Sequence, residues 1–252
     1  MAELRQDTQS AIEHDANPAR LVFDAVDLPA SERHDTPLSG VSFELGIGEM
    51  MIVQTEQGHP RLPLADAILG LISPMWGTIT LDGMQWRDLS PSKISRLRSQ
   101  VGRVFDNERW VSGLTLAENV YLASRYHRLM PERTMIHEAR RLCEVFDIPR
   151  LPETPVSQAP KATRQKVAWV RALLGPRRLI ILERPLQGLN VSDAPRLAHA
   201  LGSLREQGAT IIWITDRPVP IDLPGMLPDK LGRVEGTGLT VEPGPGPLGG
   251  DS

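Results

Sequence analysis

Short apolar runs alternate with helical patterns along most of the chain. The runs that predict strands are 21–23, 41–45, 50–53, 78–81, 101–105, 179–182 and 210–215. Apolar residues recur at helical spacing over 135–146, 162–174 and 195–206. The runs 179–182 and 210–215 lack polar alternation, which is typical of strands buried on both faces of a parallel sheet. We therefore predict an α/β fold with an antiparallel β element near the N-terminus and an inserted helical subdomain over about 107–172.

The chain is expected to comprise three segments. Residues 1–20 mix charges with Ala, Gln and Asn without periodicity, so they are predicted to form a mobile N-terminal tail. Residues 21–242 are predicted to fold as one domain. Residues 243–252 are almost all Pro and Gly, a composition that predicts a disordered tail.

Composition and charge exclude several classes of protein. The 252 residues carry 28 Lys+Arg against 31 Asp+Glu, a net charge of −3 that gives no basic surplus for nucleic acid. Apolar runs are far shorter than the roughly 20 residues of a membrane-spanning helix. The single cysteine, Cys143, lies on an apolar helical face and is predicted to be core; it excludes an internal disulfide and fits a reducing compartment. The histidines show no ligand spacing, so no metal site is expected.

Six connecting segments share their order and spacing with one known family. They are 37–50, 68–79, 113–120, 164–173, 179–185 and 188–190. On these segments the chain, from about Leu21 to Gly236, resembles the nucleotide-binding subunit of an ABC transporter. The resemblance implies an ABC-ATPase core of the P-loop NTPase type.

The segment at the position of the family's phosphate loop departs from its pattern. The Walker A loop reads G-x-x-x-x-G-K-[ST], because backbone N–H groups cradle phosphate, the lysine reaches its oxygens and the hydroxyl holds Mg²⁺. The matching positions here are Thr55, Gly58, Pro60, Arg61, Leu62 and Pro63. Pro60 has no N–H to donate, and Leu62 lacks the hydroxyl. Arg61 keeps a positive charge but is poorly interchangeable with lysine, whereas Pro63 suits the first turn of the helix that follows.

The remaining motifs implied by the resemblance are altered as well. Asp106 replaces the glutamine after strand 101–105, and Glu183 replaces the Walker B aspartate. Arg184 replaces the catalytic glutamate and cannot act as a base, while Asp216 replaces the switch histidine. The Leu-Ser-Gly-Gly-Gln signature, which contacts the nucleotide of the opposite subunit, is replaced by Ala159, Pro160, Lys161, Ala162 and Thr163. No catalytic residue is intact, and no cofactor is expected.

The replaced charges suggest a second hypothesis. We predict an ion pair between Arg184 and Asp216, with Arg61 leaning toward Glu183 or Asp106. The alternative is that these are unrelated solvated charges. Trp110 is either an exposed anchor for a membrane partner or a core residue.

The resemblance implies a catalytically inactive subunit that docks on a transmembrane permease as a structural or regulatory partner. It pairs with a second ABC subunit, as homodimer or heterodimer, and lies in the cytoplasm at the inner face of the membrane, which it contacts only through its partner. The loop 185–190 resembles that of lipid-trafficking systems of the Mla/MCE type, although other ABC branches share it. Two alternatives stay open. One is a weak Mg-ATP hydrolase that uses Arg61 for lysine and Glu183 for both carboxylates; the other is a stand-alone binding module.

Overall fold

A computed structural model describes residues 19–30, 36–59, 61–107 and 109–245. The strands are β1 (Ala19–Leu28), β2 (Leu38–Gly46), β3 (Met50–Gln54), β4 (Trp76–Leu81), β5 (Met84–Gln85), β6 (Val101–Val104), β7 (Leu179–Glu183), β8 (Thr210–Thr215), β9 (Lys230–Glu235) and β10 (Gly238–Pro243). The α-helices are α1 (Leu64–Ile68), α2 (Pro91–Ser99), α3 (Leu116–His127), α4 (Glu132–Val145), α5 (Lys161–Leu173) and α6 (Ala194–Glu206). Each predicted strand and helix lies within or overlaps one of these elements.

The strands form two sheets. The antiparallel sheet has the order β2-β1-β4-β5, and the six-stranded sheet has the order β10-β9-β3-β8-β7-β6. In the larger sheet β6, β7, β8, β3 and β9 run parallel, and β10 pairs antiparallel with β9 at one edge. Because the carboxyl ends of β3, β6, β7 and β8 lie at one edge of this sheet, the loops after these strands meet there.

The larger sheet separates two apolar cores. On β8, Ile211 and Trp213 pack into the core shared with the helical subdomain, while Ile212 and Ile214 pack into the core shared with the antiparallel sheet. Every residue of β7 and β8 is buried. The prediction of strands buried on both faces is therefore confirmed.

Helix boundaries follow local signals to different degrees. At the start of α3, Thr115 and Glu118 form a reciprocal capping box. Asp193 stands at the N-cap of α6, but its carboxylate makes no cap hydrogen bond. It instead accepts from the backbone N–H of Asn190 at 3.3 Å and pairs with Lys166 at 2.7 Å. The role of the Asp193 side chain therefore depends on α5, which carries Lys166.

Three features differ from the predicted layout. β5, α2, β9 and β10 were not predicted, since they are short or mix polar residues with apolar ones. Arg20, assigned to the tail, belongs to β1, where it is 5% exposed and donates to Thr210 and Asp82. Pro243, assigned to the C-terminal tail, closes β10. The rest of both predicted tails lies mostly outside the described residues.

Candidate functional site

The loop between β3 and α1 occupies the position of the predicted phosphate loop, and several of its polar groups are engaged by the protein itself. The N–H of Thr55 donates to the carbonyl of Thr215 at 2.9 Å. The N–H of His59 closes a turn onto the carbonyl of Glu56 at 3.0 Å. The N–H of Gly58 donates to the Asp216 carboxylate at 3.4 Å. The carboxylate of Asp216 thus accepts a loop amide of the kind that binds phosphate in a Walker A loop.

The C-terminal half of this loop leads into a short helix. Pro63 stands at the N-cap of α1 with a φ of −72°, and its carbonyl accepts from Ala67. This agrees with the expectation that proline suits the helix entry. Leu62 is only 4% exposed and packs in the core beside the antiparallel sheet. Pro60 lies outside the described residues.

Arg103 links two carboxylates in the cleft. Its Nε donates to Oε2 of Glu183 at 2.7 Å, and its Nη1 donates to Oδ1 of Asp66 at 2.5 Å. The side chains of Arg103 and Glu183 are each 7% exposed. Burial alone would lower the pKa of the Arg103 guanidinium, but the charges and hydrogen bonds of the two carboxylates outweigh burial and raise it.

A second charged group forms around Arg184. Its Nε lies 3.5 Å from Oδ2 of Asp216, and its Nη1 lies 3.3 Å from Oδ1 of Asp106. Its Nη2 donates to the carbonyl of His59 at 2.8 Å. Arg61 lies 3.8 Å from the Asp106 carboxylate. The predicted Arg184–Asp216 pair and the predicted lean of Arg61 toward Asp106 are both confirmed, and the alternative of unrelated solvated charges is wrong for these residues.

The backbone at Arg184 is unusual. Its φ is +44°, in the left-handed region that side chains with a Cβ rarely adopt. The N–H of Arg184 donates to the carbonyl of Ile214 at 2.8 Å, which continues the pairing of β7 with β8 by one residue. This turn directs the side chain back across the ends of the parallel strands toward Asp106 and Asp216.

The segment at the signature position contacts a different part of the fold. Lys161 lies against Gly188, where a Cβ would stand 3.1 Å from the lysine Cε. Farther along α5, the side chains of Gln165 and Trp169 both donate to the carbonyl of Pro185. Of the five residues at the signature position, Lys161 therefore lies beside the loop after β7, whereas Ala159 is buried in the core and its carbonyl accepts from Arg164.

Two residues left open by the sequence have clear positions. Trp110 is partly buried against the core, and its ring lies under the guanidinium of Arg171 at 4.0 Å. Cys143 is 3% exposed within the core of the helical subdomain, as predicted. Burial raises the pKa of the Cys143 thiol to about 11.

Sequence reasoning missed Asp66 and Arg103. An arginine inside the apolar run 101–105 was a signal, because a buried guanidinium requires partners. Nothing local indicated that those partners would be Asp66 on α1 and Glu183 on β7. Glu183, at the position of the Walker B aspartate, pairs with Arg103.

The fold and the motif segments define the class of protein. The arrangement resembles solved ABC cassettes, including the dimeric post-hydrolysis structure of MJ0796 bound to ADP and Pi. That match has a TM-score of 0.75 at 19% identity and covers 88% of this chain and 98% of the other. A structure described as the ATP-binding subunit of an ABC transporter matches with a TM-score of 0.76 at 21% identity, over 88% of this chain and 89% of the other. At these identities the likeness shows the fold.

Sequence comparison shows the family. The ABC transporter family model matches residues 38–187. The chain therefore belongs to the ABC transporter family. It is 28% identical to the ribose import ATP-binding protein RbsA of Chelativorans sp. (strain BNC1), over 77% of this chain and 38% of that protein. It is 27% identical to the macrolide export ATP-binding/permease protein MacB of Aggregatibacter actinomycetemcomitans, over 71% of this chain and 28% of that protein. The chain thus spans well under half the length of these curated relatives.

Among the described residues, no helix is both long and apolar enough to cross a membrane.

Proposed function

We propose that this chain is a catalytically inactive ABC subunit that acts as a structural or regulatory partner in a transporter complex. The observation that carries the proposal is the pairing of the Arg184 guanidinium, which stands at the position of the catalytic glutamate. Its guanidinium is held by Asp216, Asp106 and the carbonyl of His59. A guanidinium stays protonated at physiological pH, so it cannot take a proton from an attacking water.

We further infer that Mg-ATP does not fit this cleft. The cleft cations Arg61, Arg103 and Arg184 are each paired with a carboxylate of the chain itself. Two cavities lie along the cleft, one of about 20 Å³ beside Thr55 and Arg61 and one of about 160 Å³ beside Asp66 and Arg103. Both are lined by residues of the arginine–carboxylate pairs, so a triphosphate and its Mg²⁺ would have to displace those pairs. We therefore expect no cofactor in this site.

The binding free energy lost with the phosphate contacts leaves weak nucleotide binding at most. A hydrogen bond to a charged group contributes about 1.5–3 kcal/mol. The loss of four phosphate contacts would remove about 6 kcal/mol, which converts a micromolar site into one of tens of millimolar. Loss of a general base costs a further factor of about 10²–10⁴ in rate.

Isothermal titration calorimetry tests the inactive-site proposal. Mg-ATP titrated into the full chain should give no saturable heat at micromolar concentrations, and phosphate release should stay at the buffer rate. The MJ0796 cassette, solved with ADP and Pi, serves as the positive control. Micromolar affinity, or hydrolysis above the buffer rate, would favour the weakly active ATPase and overturn the proposal.

We propose that the chain docks on a transmembrane permease through the groove beside β6. This groove has a volume of about 250 Å³ and lies between α2, α3 and the edge strand β6. Leu71 and Phe105 contribute apolar walls, and Leu71 is 53% exposed. An exposed apolar groove of this kind suits an apolar helix of a partner.

Co-purification tests the docking proposal. Affinity-tagged chain should retain a polytopic membrane protein from detergent-solubilised membranes, and mass spectrometry identifies it. Leu71→Asp should abolish retention without lowering the thermal midpoint. The matched control is Met84→Asp on β5, since Met84 is also an exposed apolar side chain, at 37%. Retention that is equal in both variants would refute the groove. A chain that captures no membrane protein would favour the stand-alone binding module.

The remaining assignments follow from the docked state. We propose that the chain lies in the cytoplasm at the inner face of the membrane, held there by its partner, and that it pairs with a second ABC subunit. Transport of lipids stays a prediction from the loop 185–190. The relatives named above import ribose or export macrolides, and they span different branches of the family.

A further inference from the structure

A separate cavity lies on the helical side of the large sheet, at the carboxyl end of β8. Its volume is about 320 Å³, and it is bounded by the loop after β7, the start of α6 and the loop after β8. This size falls at the lower end of the range for small-molecule sites. It shares Arg184 and Asp216 with the cleft described above, but its other walls lie outside the phosphate-loop and signature positions.

The walls of this cavity are largely apolar. Leu186 and Leu189 line one side, Ala194 lies at the start of α6, and Pro218 and Val219 line the other side. Ala194 is 4% exposed. A cavity with such walls favours a ligand with an apolar body, because burial of that body removes apolar surface from water.

One residue of the cavity wall, Trp213, has a buried N–H without a hydrogen-bond partner in the part of the chain that the structure describes. Trp213 lines the cavity and is 2% exposed, and its Nε1–H has no hydrogen-bond acceptor among the described residues. The other fully buried tryptophan, Trp169, donates its Nε1–H to the carbonyl of Pro185. The Nε1 atom itself has almost no accessible surface, so Trp213 contributes ring surface to the cavity wall rather than a donor for a ligand.

The cavity also carries a surplus positive charge. Arg184 and Asp216 both line it, and their side chains pair with each other at 3.5 Å. Arg217 lines it too, is exposed, and makes no ion pair with any residue that the structure describes. The remaining charge at the cavity is therefore that of one cationic guanidinium, which favours a ligand with a single negative charge.

We propose that this cavity binds a small amphipathic carboxylate, with its apolar chain between Leu186, Leu189 and Val219. The carboxylate meets Arg217, and the indole of Trp213 forms part of the cavity wall. The site does not use the phosphate-loop position, so the proposal is independent of whether the chain binds nucleotide.

Calorimetry with sodium octanoate tests the charge and the apolar chain together. Octanoate should bind the full chain with a submillimolar dissociation constant, and octanamide, which has the same chain length and no charge, should bind about fivefold more weakly. Arg217→Gln should weaken octanoate about fivefold and remove the difference between the two ligands. The control is Arg87→Gln, because Arg87 is an exposed arginine on another part of the fold; it should leave both affinities unchanged.

Two further measurements test the cavity itself. Ala194→Leu should fill the cavity and abolish octanoate binding while the chain stays folded by circular dichroism. In ¹H–¹⁵N spectra of the tryptophan indoles, octanoate should shift the Trp213 signal more than those of the other four tryptophans, because Trp213 lines the cavity. Trp213→Phe identifies that signal; should this variant fail to fold, the ligand pair and Arg217→Gln still decide.

Some results would overturn the proposal. No saturable heat at millimolar octanoate would do so, as would equal affinity for octanoate and octanamide. A different outcome would assign the cavity to contact with a second copy of the chain. In that case octanoate does not bind, and the Arg217→Gln and Ala194→Leu variants change the sedimentation of the chain. That outcome would also refute the carboxylate site.

Discussion

Replacement of Arg103 by methionine is the most direct perturbation of the cleft. Arg103 satisfies the carboxylates of Glu183 and Asp66, whose side chains are 7% and 14% exposed. Arg103→Met keeps a long side chain but removes every donor. Two carboxylates that are largely withdrawn from water then lose their shared partner.

The expected loss is large because one member of a buried ion pair is removed. Breaking a buried pair in this way costs about 3–5 kcal/mol, since an uncompensated charge is left behind. The total free energy of unfolding of a domain is about 5–15 kcal/mol. For a chain of this size each kcal/mol corresponds to about 2–4 °C, so the thermal midpoint should fall by about 10 °C.

Urea denaturation at neutral pH, followed by circular dichroism, measures this loss. Arg87→Met is the control, since Arg87 is 73% exposed, and it should change stability by less than about 0.5 kcal/mol. Neutralising both carboxylates in the Arg103→Met background, with Glu183→Gln and Asp66→Asn, should recover more than half of the loss. A cost below about 1 kcal/mol, or no recovery in the triple variant, would refute the argument from buried charge.

The other predictions concern a helix cap, the cysteine and two glycines. Thr115→Ala should cost about 1 kcal/mol in urea unfolding through loss of the cap. Hydrogen bonds from Thr115 lower the pKa of the Glu118 carboxyl in the folded state. The contribution of this carboxylate to the free energy of unfolding should therefore be present above its unfolded pKa and disappear as the pH falls through its folded pKa. A wild-type free energy of unfolding that stays constant across the acid range would contradict this. Cys143, with a pKa of about 11, should react with iodoacetamide at least about a hundredfold more slowly in the folded chain than in urea at pH 8, and comparable rates would refute its burial. Gly77→Ala should lower the thermal midpoint more than Gly83→Ala, because an added Cβ at Gly77 would stand 2.3 Å from two carbonyl oxygens whereas Gly83 has open space; equal shifts would contradict this.

Part of the charged cleft could be predicted, because matching a residue to a motif of the family also indicates which strand it follows. Arg184 and Asp216 follow β7 and β8, which are neighbouring parallel strands, so opposite charges at these positions were expected to meet. Their separation of 3.5 Å agrees with that expectation. Asp106 follows β6, the next strand along, which brings it into the same group.

Other parts of the site depend on contacts that local pattern does not encode. Asp66 and Arg103 are 37 residues apart, on α1 and β6. The unsatisfied Nε1–H of Trp213 likewise depends on what surrounds the indole. A tryptophan in an apolar strand predicts burial, but the presence or absence of an acceptor is a property of the packed core.

The sequence by itself determined the type and order of the main elements, because side-chain periodicity and chain stiffness act over a few residues. It also determined the substitutions at each phosphate-contacting motif, among them Arg184 for the catalytic glutamate. Only the tertiary structure decided which charges pair, that Glu183 faces Arg103, and that a cavity remains beside Trp213. These features arise from long-range packing, in which the partner of each group is set by elements far away in the chain.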